Sequence, residues 1–140
     1  MRVPHSLLED NQMPYINIPT LNASQHQHLY AKTTALMKTI MGKRPEVTVV
    51  HIQESEPRFW STDSSVLEST DPIGAYVDIK VTEGTNTAEE KAEMISETVK
   101  MLKESVGLVQ EACYVVIDEI PANSWGYNGK TQDKRAATAL

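Results

Sequence analysis

A chain of 140 residues with 40% hydrophobic and 23% charged residues has the size and composition of one globular domain, which excludes an intrinsically disordered chain and two ordinary domains. The formal charge of -6, with only Lys43-Arg44 and Lys134-Arg135 as adjacent basic pairs, argues against a nucleic-acid partner, because phosphate neutralisation needs clustered Lys and Arg. The longest apolar runs, such as Cys113 to Ile117, fall far short of the ~20 residues of a membrane helix. The single cysteine, Cys113, cannot form an internal disulfide and reads as a small core residue in a reduced, cytoplasmic setting.

In chain order, Met1 to Gln12 lacks the apolar and small-residue pattern of a secretory signal and reads as a polar arm, so an arm is expected over 1–13 and one globular unit over 14–140. Pro14-Tyr15-Ile16-Asn17-Ile18 alternates apolar and polar residues like a strand with one buried face. Ser24, with Gln27 three residues on, forms a capping box that opens a helix with Leu29, Thr33, Leu36, Met37 and Ile40 on one stripe, and Gly42 stops it. A second strand runs from Val47 to Glu54 and Trp60 follows. Ser61 to Gly74, rich in Ser, Thr, Asp and Pro, suits a surface linker.

The same order of parts then returns. Val77, Ile79 and Val81 alternate in a strand from Ala75, and Thr87 with Glu90 forms a second capping box. Ile95, Val99, Leu102 and Val106 make a helical stripe that ends at Gly107, and a strand from Cys113 to Glu119 precedes Trp125. Tyr15 corresponds to Tyr76 at an offset of 61, whereas Glu54 and Trp60 correspond to Glu119 and Trp125 at 65, so about four extra residues are expected around the second turn and helix. The repeats span 14–60 and 75–130, and Asn128-Gly129 suits a tight hairpin after the second.

Two strands joined through a helix are parallel, with a right-handed crossover. Two such units predict an α/β chain of the α+β kind: two β-α-β repeats forming a four-stranded mixed sheet with two helices on one face. The opposite face is expected to be bare and apolar, which predicts self-association.

The second repeat resembles the tautomerase superfamily, whose prototype is 4-oxalocrotonate tautomerase. The residues that carry the resemblance are Ala75-Tyr-Val-Asp-Ile-Lys-Val-Thr-Glu83-Gly84, then Val115-Val116-Ile117-Asp118-Glu119, and the closing Trp125-Gly126-Tyr127-Asn128-Gly129. The first repeat matches in architecture and in Met13-Pro14-Tyr15-Ile16 but has Ser61-Thr62-Asp63 in place of the glycine hairpin, so the chain looks like a fused, double-length member. The resemblance implies the tautomerase fold, a homotrimer, no cofactor, and an amino-terminal proline that moves a proton on a small 2-oxo or enol acid. A chain-terminal proline is a secondary amine, and an α-amino group titrates near ~8, close to working pH.

The matching proline is Pro14, and the second repeat has Ala75 at that position. Pro14 acts as a base only if Met13 is the start and is removed. Otherwise its nitrogen is an amide, Pro14 is a strand-initiating proline, and the chain is a non-catalytic oligomer of the same fold. Dehalogenation, hydration or decarboxylation of a short unsaturated or oxo acid is the nearest enzymatic alternative. The resemblance also implies arginines that hold substrate carboxylates, but their positions carry Ser24 or a neighbour, Thr85, Val49 and Tyr114. Arg58 is the remaining cation expected near the site mouth, with Lys80 and Arg44 behind it. Trp60 and Trp125 stand where the family places a pocket aromatic, against the alternative of plain packing. His26 and His28, two apart on a helix, diverge and make poor metal ligands, so no metal is expected. His51, Glu54 and Glu119 read as half-buried or solvated strand residues.

Overall fold

The computed structural model describes residues 13–138, so the polar arm expected before Met13 lies outside the described residues. The first repeat is β1 (Met13–Ile18), α1 (Ala23–Thr39) and β2 (His51–Glu54), followed by a small hairpin of β3 (Ser61–Thr62) and β4 (Ser65–Val66). The second is β5 (Tyr76–Thr82), α2 (Ala88–Val106) and β6 (Tyr114–Ile120), followed by the hairpin β7 (Gly126–Tyr127) and β8 (Lys130–Thr131) and a short α3 (Gln132–Thr138). The sheet order is β2-β1-β5-β6, with β2 parallel to β1, β1 antiparallel to β5, and β5 parallel to β6. This is the mixed four-stranded sheet expected of two β-α-β units.

The period-2 pattern does what it predicts. Pro14, Ile16 and Ile18 of β1 and Val77, Ile79 and Val81 of β5 are buried and alternate with more exposed residues. These central strands pack against Leu29, Leu36 and Met37 of α1 and Met94, Met101 and Leu102 of α2 in one core. The edge strands contribute half-buried residues such as Ile52 and Ile117. In α2 the buried face is Met94, Thr98, Met101 and Leu102: Leu102 of the expected stripe is fully buried and Val106 packs against the core, whereas Ile95 is 38% exposed and Met94, Thr98 and Met101 take the remaining inner positions. Unbranched Met94 and Met101, seven residues apart, fill the space between helix and sheet that the more obvious branched residues were expected to fill.

The capping box of α1 forms at Asn22 rather than Ser24: Asn22 Oδ1 accepts from the Gln25 N–H and Gln25 Oε1 from the Asn22 N–H, both at 2.9 Å. Both residues fit the pattern, and the earlier cap adds a half-turn of helical hydrogen bonds. Thr87 and Glu90 cap α2 as expected. With Asn22 matched to Thr87 and Glu54 to Glu119, the helices and second strands share one offset of 65. Ile18 lies beside Glu54 and Val81 beside Glu119, an offset of 63 for the first strands. The second repeat therefore holds two extra residues, in the turn between β5 and α2, rather than four around turn and helix. By this register Val77, not Ala75, takes the place of Pro14.

The sheet face away from the helices is not the bare apolar surface expected. It is mixed, presenting Tyr15, His51, Asp78, Lys80 and Asp118 beside the exposed Tyr76, Tyr114 and Val116, with Tyr15 edge-on to His51 at 5.3 Å between ring centres. Another copy covering this face would have to match charge and ring geometry as well as apolar area.

Candidate active site

The strand directions divide the expected site residues between two ends of the sheet. Because β1 and β2 are parallel, Arg58 and Trp60, which follow β2, lie beyond the end where β1 finishes. Because β5 runs against β1 and β6 runs with β5, Trp125, which follows β6, lies at the end where β1 starts, with Pro14. The two ends are about 13 Å apart at ~3.3 Å per strand residue. Within one chain Pro14 and Trp125 lie at the same end of the sheet, and Arg58 and Trp60 lie at the other.

At the Pro14 end, Met13 pairs with Lys80 and Pro14 with Ile79, so β1 begins one residue before the proline. The Pro14 ring is buried on the helix side. A proline is tolerated here because its missing N–H falls at the start of a strand, ahead of the first β2 partner. On this same side, Gly42 at φ 71° reverses the chain after α1, with its N–H on Lys38 O and the Lys43 N–H on Met37 O. This closing turn throws Lys43 back across the sheet end to the turn after β5. Lys43 is 1% exposed, and its Nζ donates to Thr85 Oγ1 at 2.8 Å. Thr85 Oγ1 in turn donates to Thr82 O at 2.6 Å, and Trp125 Nε1 donates to Thr82 Oγ1 at 3.2 Å. Asn86 Nδ2 ties the same turn to Met41 O at 2.9 Å. A buried ammonium, two threonines and an indole are thus linked around the start of β1.

Sequence reasoning missed Lys43, having read it only as half of a basic pair. The available signal was its place directly after the helix-stopping Gly42, a position that the closing turn folds back over the preceding helix and sheet. Thr85, expected as the residue standing where an arginine was lost, is the acceptor for this lysine.

The other end is built differently. The Trp60 ring lies so close to Gly74 that a Cβ there would sit 2.6 Å from a ring carbon, and Leu67 packs beside it. Trp60 Nε1 is buried without a hydrogen-bond partner among the described residues. Here Trp60 covers the backbone leading into β5. Arg58 is exposed, paired with Glu56 and stacked 4.1 Å over the Phe59 ring. Arg44, expected behind it, pairs with Glu46, and Lys80 lies at the Pro14 end instead.

The strand-end carboxylates have equivalent partners in the two repeats. Glu54 Oε1 meets His26 Nε2, and Glu119 Oε1 meets Lys91 Nζ at 2.8 Å, His26 and Lys91 both being fourth residues of their helices. His28 bonds Ser105 on α2. Burial pushes the Cys113 thiol above its ordinary value, so it stays protonated and unreactive. Among the described residues no group of three or more His, Cys, Asp or Glu could hold a metal ion. No helix among them is long and apolar enough to cross a membrane. Two open clefts of about 300 and 410 Å³ lie against the closing hairpin. The larger is lined by Glu83, Gly84, Pro121, Ala122, Asn123 and Asp133, an acidic set poorly suited to a carboxylate ligand.

Comparison with known proteins gives a consistent result. A family model described as tautomerase enzyme matches residues 76–135. A probable tautomerase K2 from Dickeya dadantii (strain 3937) is 30% identical over 64 residues, which are 46% of this chain and 96% of that protein. Among solved structures, Pt0534 inactivated by 2-oxo-3-pentynoate superposes with a TM-score of 0.76 at 17% identity, covering 87% of this chain and 96% of that one. A fused 4-OT wild-type asymmetric trimer also gives 0.76, at 15% identity, over 87% and 97% of the two chains. At these identities the two structures speak for the fold.

Proposed function

The chain belongs to the tautomerase family as a double-length, 4-oxalocrotonate tautomerase-like member, and from that premise we propose that it moves a proton on a small 2-oxo or enol acid, with the Pro14 amine as base and acid. The functional chain in this reading begins at Pro14, after Met13 is removed. The observation that supports it is that Pro14, Lys43 and Trp125 lie at the same end of the sheet.

A free Pro14 nitrogen is a secondary amine with a lone pair. It takes the proton from the enol oxygen or acidic carbon of the substrate while the electron pair moves into the conjugated oxo system. The resulting ammonium returns a proton to another carbon of that system, which leaves the amine ready for the next turnover. Lys43, fixed by Gly42 and Thr85, supplies positive charge where the oxyanion develops. Trp125, held by Thr82, supplies an apolar wall that keeps water from the dienolate. Arg58 and Trp60 serve this chemistry only from a neighbouring copy, which favours a homotrimer of the kind formed by the fused 4-OT.

The test combines mass and turnover. The native protein is expected to have the intact mass of a chain starting at Pro14, to turn over phenylpyruvate or 2-hydroxymuconate, and to take up one 2-oxo-3-pentynoate on that residue. Pro14→Ala should lower kcat/KM by at least ~100-fold, the range of general acid–base catalysis. A second reading, a non-catalytic oligomer, draws on Met13 continuing the β1 ladder into Lys80. A native mass retaining residues before Pro14, with no turnover, would select it.

A further inference from the structure

On the open face of the sheet, Lys80 stands directly across the antiparallel ladder from Met13, which places their Cβ atoms ~5 Å apart beside the Pro14 nitrogen. Its Nζ donates to Asp118 Oδ2 at 2.9 Å, across to β6, and to Asp78 Oδ2 at 3.3 Å, two residues back on β5. Asp78 Oδ1 is buried and has no hydrogen-bond partner among the described residues. Asp78 therefore stands on the strand next to β1, across from Tyr15, with one buried oxygen unsatisfied, and Asp118 stands one strand further out on β6, beyond Lys80. Negative charge there favours the protonated form of any nearby amine and opposes its action as a base.

Resting on the reading of Pro14 as a free amine, we propose that Lys80 is a positioning residue that neutralises Asp78 and Asp118 and so keeps their charge from locking the Pro14 amine in its protonated form. The other ionisable groups at this end of the sheet are Lys43 and the Glu119–Lys91 pair on the helix side, Glu83 in the turn after β5, and Tyr15 and His51 on the open face towards β2. Tyr15 donates to Gln53. Hydrogen bonding to Asp118 holds the Lys80 ammonium above its ordinary value, against a smaller opposing cost of burial, so the neutralising charge persists through the working pH range.

The experiment uses the full protein beginning at Pro14, with nitrogen-15 proline, and follows the Pro14 amine by NMR across pH alongside the acid limb of kcat/KM. Lys80→Met should move both midpoints up by about half a pH unit or more, since two uncompensated carboxylates remain. Adding Asp118→Asn to that variant should bring them back towards the original value, and Asp118→Asn alone should move them down. If Lys80→Met does not fold, Asp118→Asn alone carries the test through its downward shift. Midpoints unmoved by Lys80→Met or by Asp118→Asn in folded protein overturn the proposal and leave Lys80 a sheet-stabilising residue. Absence of any titrating Pro14 amine in the unsubstituted protein, or full turnover in Pro14→Ala, overturns the base reading itself and is seen without any Lys80 variant.

Discussion

The two ends of the sheet are related by the repeat but have become chemically unlike. In each, a tryptophan follows one repeat's last strand at the end of the sheet where the other repeat's first strand begins. Trp125, at the Pro14 end, is anchored by a hydrogen bond to Thr82, and Lys43 is tied to Thr85 in the next turn. Trp60 lies over Gly74, in contact too close for any side chain, and its indole N–H has no partner among the described residues. The first end keeps polar anchors and a cation around a strand start; the second closes ring against backbone. The repeats supply two equivalent frames, and packing fills them with different groups.

That contrast can be broken most directly through the glycines. A Cβ on Gly126 would lie 1.9 Å from Lys130 O, a backbone atom that cannot yield. Gly126→Ala should open the closing hairpin, cost about 3 kcal/mol in urea unfolding and lower turnover with it. Gly74→Ala pushes on the Trp60 ring instead and should cost about 2 kcal/mol while sparing kcat in the surviving folded protein. A loss of kcat as large as that of Gly126→Ala would mean that the second end also takes part in catalysis.

Smaller effects sharpen the comparison. Trp125→Phe leaves Thr82 without its donor and should cost about 1 kcal/mol and several-fold in turnover, whereas Trp60→Phe removes an N–H that has no partner among the described residues and should be close to neutral in stability. Lys80 is bound to aspartates in the folded state, so its folded value lies above the ordinary 10.5. The stabilisation is fully present below pH 10.5 and is lost as pH rises through the folded value. The gap in urea midpoint between the protein and Lys80→Met should therefore hold from pH 7 to 9 and close at more alkaline pH, with a size under ~1 kcal/mol because the side chain is substantially exposed. Smallest of all, His26→Lys converts the Glu54 pair into the form seen at Glu119 and should change stability by no more than ~0.5 kcal/mol at neutral pH. A larger change would show that the two strand-end pairs are not equivalent.

Much of this fold was legible because its signals are local. The alternation in β1 and β5, the Thr87 box, the Gly42 and Gly107 stops and the Asn128-Gly129 turn, with φ of 50° and 79°, each depend on a few neighbouring residues. In α2, Leu102 and Val106 face the core as their spacing predicts, but Met94 and Met101 share it in place of Ile95, because methionine carries a weaker apolar signal than isoleucine or valine yet fills the core as well. The open face was misread because an uncovered sheet was assumed to be apolar, although Asp78, Lys80 and Asp118 were in view at alternate positions. Site geometry was the least legible part. Whether Arg58 or Trp125 joins Pro14 depends on the antiparallel meeting of β1 with β5, a long-range pairing that no local pattern encodes. The same pairing gives Lys43 its meaning, since only in the folded sheet does a residue after α1 reach Thr85.

The junction between the repeats has a stoichiometric consequence. Because β5 continues from Ala75 through an ordinary peptide bond, no processing at the chain's start can give the second repeat a terminal amine. Reagents that label such amines would therefore saturate at one equivalent per polypeptide, however many polypeptides associate, although the backbone presents two strand starts in each. On the proposed reading the second of those starts takes no part in turnover, and it is there that a tryptophan is seated on a bare glycine.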